Sequence, residues 1–133
     1  MRDLLKVMKS LSDGTRVRIL NLLMQRECCV CEVMEVLGIT QSTASRGLAA
    51  LYDAGILKRR RLGTRVLFSI DHEAAPYCQA LLHALQKALE RDETCLRDRD
   101  RLQQLSPAVA DCVRHQPTAS VEIMAKLKLR KEG

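Results

Sequence analysis

At Gly55 the hydrophobic pattern changes period. Before it, apolar residues recur three and four positions apart: Leu4, Leu5, Met8 and Leu11; then Val17, Ile19, Leu20, Leu22 and Leu23; then Val33, Met34 and Leu37; then Leu48, Leu51 and Tyr52. That spacing gathers them on one side of a helix. After Gly55 the chain reads Ile-Leu-Lys-Arg-Arg-Arg over 56–61 and Arg-Val-Leu-Phe-Ser-Ile over 65–70. Val66, Phe68 and Ile70 alternate as in a half-buried strand, and Leu62-Gly63-Thr64 makes a hairpin turn. Short helices running into one basic hairpin predict a mainly α fold with a small β-hairpin wing, a winged helix-turn-helix. Aromatic residues are only 2% of the chain, with no Trp, which argues for an aliphatic helical core over a β-sandwich.

The punctuation supports this segmentation. The first helix spans about residues 2–11. Asp13 suits an N-cap for a second helix reaching about Arg26, and Thr40 one for a helix over 41–54, while Gly38 and Gly55 suit helix stops. Asp71 is expected to cap a long helix from His72 to about Glu93, whose stripe of Leu81, Leu82, Leu85, Ala88 and Leu89 suits packing against a second copy of the chain. Residues 1–94 are thus expected to form the winged domain with its N-terminal and dimerisation helices, and 95–133 a C-terminal extension, helical or partly mobile. Within it, Thr118 to Leu129 has the pattern of a short amphipathic helix, ending in a basic tail from Lys126 to Lys131. The first ten residues carry Asp3, Lys6 and Lys9 and lack the apolar stretch of a secretory signal. No apolar run is long enough to cross a bilayer. A cytoplasmic protein with no membrane partner is expected.

Charge is distributed unevenly. Residues 1–70 hold 12 Lys and Arg against 6 Asp and Glu, whereas residues 71–133 hold 10 of each. A basic first half suits a polyanion. The second helix of the pair would enter the major groove of double-stranded DNA, presenting Gln41, Ser42, Thr43, Ser45 and Arg46 to base edges. Arg59, Arg60, Arg61 and Arg65 flank the hairpin, where they would meet phosphates and add affinity more than specificity. No nucleophile motif or catalytic constellation is present, so an enzyme is not expected.

Six cysteines without a secretory signal do not suggest a disulfide framework. Cys78, Cys95 and Cys112 are scattered and suit buried positions. Cys28, Cys29 and Cys31 crowd the junction before the third helix. Soft thiolates select soft ions such as As(III), Sb(III), Cd(II), Pb(II) or Cu(I) over hard ones. Three thiolates favour a trigonal site, whereas tetrahedral zinc wants a fourth ligand. Residues two apart on a helix point roughly 200° apart, so one ion held by Cys29 and Cys31 would disturb the first helical turn. A helix N-terminus is expected to lower the thiol pKa values.

Several stretches resemble the ArsR/SmtB family of bacterial metal- and metalloid-responsive repressors. They are Leu11-Ser12-Asp13-Gly14-Thr15-Arg16, Glu27-Cys28-Cys29-Val30-Cys31-Glu32-Val33, Gln41-Ser42-Thr43-Ala44-Ser45-Arg46-Gly47-Leu48, Ala54-Gly55-Ile56-Leu57 and the Arg-rich hairpin. The resemblance covers about residues 1–90, and Cys29-Val30-Cys31 in its acidic context is similar to the arsenic-responsive branch. It implies a homodimer that represses a resistance operon and leaves its operator when the inducer binds. The family usually has His where Gly47 stands, and some arsenic repressors have a third cysteine where Met34 stands, which makes Cys28 the nearest third ligand. A second family site on the long helix would need partners that Ile70 and Gln86 replace here, so His72 and His83 are read as surface or packing residues. The alternative for the thiols is redox or reactive-sulfur sensing in a repressor of the same fold. Two remoter readings are a thiol redox enzyme using Cys28 and Cys31, which lacks the expected βαβ pattern, and a non-sensing or RNA-binding winged helix.

Overall fold

Local capping chemistry sets the helix boundaries in the first half of the chain. The computed structural model describes residues 1–105. It contains α1 (Arg2–Ser10), α2 (Gly14–Leu23), β1 (Cys28–Cys29), α3 (Val30–Leu37), α4 (Gln41–Asp53), β2 (Leu57–Leu62), β3 (Arg65–Ile70), α5 (Pro76–Leu89) and α6 (Glu93–Gln103). Asp13 caps α2 by accepting from the Arg16 backbone N–H at 3.0 Å. Thr40 caps α4 through its hydroxyl, which accepts from the Thr43 N–H at 3.1 Å. Gly38 ends α3 in the left-handed conformation at φ 68°, where a Cβ would be strained.

The core is aliphatic, as the composition predicts. Ile19, Leu20 and Leu22 of α2, Val33 of α3, Leu48 and Leu51 of α4, and Ile56 have no exposed surface. Phe68, the one phenylalanine, completes this cluster from the sheet. Full burial of each such side chain contributes about 1.5–3 kcal/mol. The fold is therefore a winged helix-turn-helix: a mostly helical body with a small antiparallel sheet.

That sheet has three strands, not two, in the order β1-β3-β2. Cys28 lies opposite Phe68 and Cys29 opposite Leu67, and the hairpin runs from Leu57↔Ile70 to Leu62↔Arg65. The two-residue strand lies too far along the chain from its partner to leave a local signal.

The second half departs from the expected single long helix. The Asp71 carboxylate accepts from the Glu73 N–H at 3.0 Å and makes a turn. Helix α5 starts only at Pro76, whose missing N–H and fixed φ suit a first helical position, and it stops at Leu89. Helix α6 then begins under an Asp92 cap that accepts from the Cys95 N–H at 3.0 Å. Position 94 falls inside α6. Cys112, the Thr118 to Leu129 segment and the Lys126 to Lys131 tail lie outside the described residues. No described helix is long and apolar enough to cross a membrane.

Helix α6 binds the body through buried polar contacts. Arg18 donates a two-pronged pair to Asp98 at 2.8 and 2.9 Å, and Asp98 is only 2% exposed. The buried Asn21 amide donates to the Cys95 carbonyl at 3.1 Å and accepts from Arg99 at 2.7 Å. Arg101 donates to the Glu35 carbonyl at 3.1 Å, which ties α6 to α3 as well. Charge-assisted bonds of this kind contribute about 1.5–3 kcal/mol each, and Arg18 can recover some water when its partner is lost. Asp98→Ala is expected to lower unfolding stability by about 2 kcal/mol in a urea titration. A change below a few tenths would show that the Arg18–Asp98 pair adds nothing to the folded body.

Candidate nucleic-acid interface and thiol site

Helix α4 divides cleanly between core and solvent. Ala44, Gly47, Leu48 and Leu51 face inward, while Gln41, Ser42, Ser45 and Arg46 are exposed together. Residues i, i+1, i+4 and i+5 share a helical side, so these four form one polar face at the N-terminal end. Thr43 is half-buried, and its hydroxyl accepts from the Thr40 hydroxyl at 2.9 Å, inside the cap. Gly47 allows α4 to lie close on α2. A Cβ there would stand 2.6 Å from Ile19 Cδ1, so a larger residue needs Ile19 to move.

The four wing arginines have different surroundings. Arg59 lies over the Tyr52 ring at 4.1 Å, which steadies β2 against the end of α4. Arg60 meets both carboxylate oxygens of Glu27, at 2.5 and 3.1 Å. Arg61 is exposed. Arg65 is half-buried, and its Nε is fully buried with no hydrogen-bond partner. Tyr52 and Glu27 are therefore parts of the wing that the charge pattern does not reveal.

The crowded cysteines occupy three different settings. Successive strand residues point to opposite faces. Cys28 belongs to the apolar core cluster with Phe68, while Cys29 faces the other side of the sheet with Leu67. Cys31 is buried in the first turn of α3. Among the described residues, no three His, Cys, Asp or Glu side chains converge well enough to hold a metal ion. The sequence brings these thiols together, but the structure separates them.

Cys29 has a structural task. It is the N-cap of α3, with extended φ −95° and ψ 171°. Its thiol faces the Glu32 N–H, and the Glu32 carboxylate accepts from the Cys29 N–H at 2.9 Å. Cys29-x-x-Glu32 is thus a capping box with cysteine in the usual Ser or Thr position. Glu32 is itself buried and pairs with Arg26 at 3.1 Å.

This setting overturns the expectation of acidic thiols. Burial first, then the Glu32 carboxylate, pushes the Cys28 thiol up to about 12 and raises that of Cys29 as well. Desolvation and a neighbouring anion outweigh the helix terminus.

His72 and His83 are both exposed and border a cavity of about 300 Å³ with Leu23, Met24, Gln79 and Leu82. Cys78 lies in the first turn of α5, and Cys95 is buried in the α2–α6 contact. Both thiols are raised, mainly by burial, that of Cys95 to about 11.

Residues 13–59 match the family model described as bacterial regulatory protein, arsR family. A cadmium resistance transcriptional regulatory protein homolog of Staphylococcus aureus is 43% identical over 72 residues, covering 53% of this chain and 60% of the relative. The chain therefore spans less than two thirds of that relative. An arsenic resistance transcriptional regulator of Pseudomonas putida is 40% identical over 93 residues, covering 66% of this chain and 72% of the relative. Among solved structures, the transcriptional repressor BigR of Xylella fastidiosa aligns with a TM-score of 0.59 and 27% identity, over 69% of this chain and 88% of that one. A homodimeric winged helix-turn-helix DNA-binding domain from Mycobacterium bovis aligns with a TM-score of 0.57 and 32% identity, over 69% of this chain and 82% of that one.

The raised Cys28 value has a consequence for stability. A thiol whose folded pKa exceeds its ordinary 9.0 stabilises the fold fully below about pH 9. That contribution is lost as pH rises toward about 12. Over this window the native chain is expected to lose about 1.4 kcal/mol per pH unit more than Cys28→Ala, as read from denaturant midpoints. Parallel curves would place Cys28 in water.

Proposed function

Because this chain belongs to the arsR family of bacterial regulatory proteins, we propose that it is a homodimeric repressor that holds operator DNA with α4 and its wing, and releases it when thiols at the β1–α3 junction capture As(III) or Sb(III). Gln41, Ser42, Ser45 and Arg46 supply the base-reading end, with Thr43 shaping its cap. Arg59, Arg61 and Arg65 extend along the DNA backbone. Two copies would set their recognition helices about one DNA turn apart, near 34 Å.

One observation carries the link between inducer and DNA: Cys29 belongs at once to the wing sheet and to the cap of α3. Helix α3 supports α4, and β3 is the central strand of the wing. Drawing Cys29 and Cys31 onto one atom takes the sulfur off the Glu32 N–H and turns Cys29 away from Leu67. Losing an N-cap costs about 1 kcal/mol, and the strand bonds are lost in addition. Cys28 can join as third ligand only if β1 leaves β3, because it faces the opposite side. The folded junction is thus the ion-free, DNA-holding state. A ligand that binds the opened junction better shifts the equilibrium, and DNA opposes that ligand by the same factor.

Thiols protonated at neutral pH favour a particular ion chemistry. Arsenite at neutral pH is As(OH)3. Three thiols replace its three hydroxyls and release three waters, with no net proton. A divalent cation must instead displace a proton from each thiol, so its binding weakens as pH falls. At neutral pH this proton cost disfavours Cd(II) and Pb(II) relative to As(III) and Sb(III).

Arsenite titrated into the protein–operator complex is expected to release the DNA, measured by fluorescence anisotropy, while Cys29→Ser and Cys31→Ser remain bound. Release that persists in both variants would defeat the proposal. For the free protein, arsenite affinity is expected to stay level between about pH 6.5 and 8, while cadmium affinity rises at least about tenfold per unit. A steep arsenite profile would reject the proton-neutral exchange.

A further inference from the structure

The outward face of the wing carries a contact that DNA binding alone does not explain. Side chains alternate along β2, so Arg60 faces the side opposite Arg59 and Arg61. In the sheet register Arg60 lies opposite Leu67, and Leu67 opposite Cys29. Glu27 immediately precedes Cys28, at the start of the other edge strand, β1. The Arg60 side chain reaches across the central strand to it, a span of two strand spacings, about 10 Å. Leu67 lies beneath this crossing and is only 5% exposed.

The contact is two-pronged, Nε to Oε2 at 3.1 Å and Nη2 to Oε1 at 2.5 Å. A guanidinium presents the same pair of donors to a carboxylate and to a phosphodiester. The two therefore compete for Arg60. The Arg60 hydrogen bond holds the Glu27 carboxyl below the usual carboxylate range, with Lys58 and Arg65 adding to the effect, so the competitor is ionised at neutral pH.

We infer that Glu27 is a positioning residue that withholds Arg60 from the DNA backbone and thereby weakens the protein's hold on duplex DNA of any sequence. The inference rests on the DNA-binding reading above. It adds an internal competitor to the wing: Arg60 contributes only when a phosphate displaces Glu27.

The test measures binding of the full chain to a mixed-sequence duplex across salt concentrations. Glu27→Gln is expected to bind more tightly and to steepen the dependence of log affinity on log salt by about 0.9, the mark of one more neutralised phosphate. Its advantage at 50 mM salt should then exceed that at 200 mM by about 3.5-fold. Glu27→Asp keeps the charge but shortens the arm, and is expected to gain as well. With Arg60→Gln added, Glu27→Gln is expected to lose its extra affinity and to keep the salt slope of the native chain. An equal gain in the double variant would mean that Glu27 acts only through long-range repulsion, and the inference would fall. An unchanged salt slope in Glu27→Gln would also overturn it. If none of these proteins binds the duplex at 50 mM salt, the DNA-binding reading fails first.

Discussion

Two residue pairs, Cys28 with Phe68 and Cys29 with Leu67, join the thiol-bearing segment to the wing. Without them the hairpin would be a two-stranded ribbon, which is marginal in water by itself. With them the wing becomes the far edge of a three-stranded sheet whose first strand leads straight into α3. The strand's two faces then separate the sulfurs. One is sealed in the apolar core and the other caps a helix. Burial and the neighbouring Glu32 raise both thiol pKa values, so the sulfurs stay protonated in the folded junction.

The legible parts of this fold are those with short-range causes. Asp13, Thr40 and Gly38 mark the helix ends because capping acts within a few residues. The change of period at Gly55 reveals the hairpin for the same reason. The polar face of α4 follows from its spacing. Strand β1 was not legible, since its bonds join positions some forty residues apart. Helix α6 was hidden by its charge: its stability depends on Asp98 meeting Arg18 and on Asn21 meeting Arg99, not on an apolar stripe. Asp71 has the chemistry of a cap and so predicts too early a start for α5, whereas Pro76 occupies its first turn.

The candidate site was legible in composition and not in geometry. Sulfur, arginine and small polar residues are visible as types. Their company is not. That Arg60 reaches Glu27, that Arg59 covers Tyr52, and that Cys28 and Cys29 face apart all depend on which face of a sheet each residue occupies. The acidity of the thiols went the wrong way for a related reason. A helix terminus is visible in sequence, whereas the desolvation that outweighs it comes from packing.

Tyr52 shares the chain's small stock of aromatic rings with Tyr77 and Phe68, and there is no tryptophan. Its ring sits under the Arg59 guanidinium at the seam between α4 and the wing, whereas Tyr77 is on α5. Ultraviolet emission from this molecule is therefore the light of two tyrosines, one of them placed where the wing meets α4. A displacement of the hairpin that lifts Arg59 off Tyr52 would change the surroundings of one of the two fluorophores, so the unlabelled protein carries its own optical gauge of wing position.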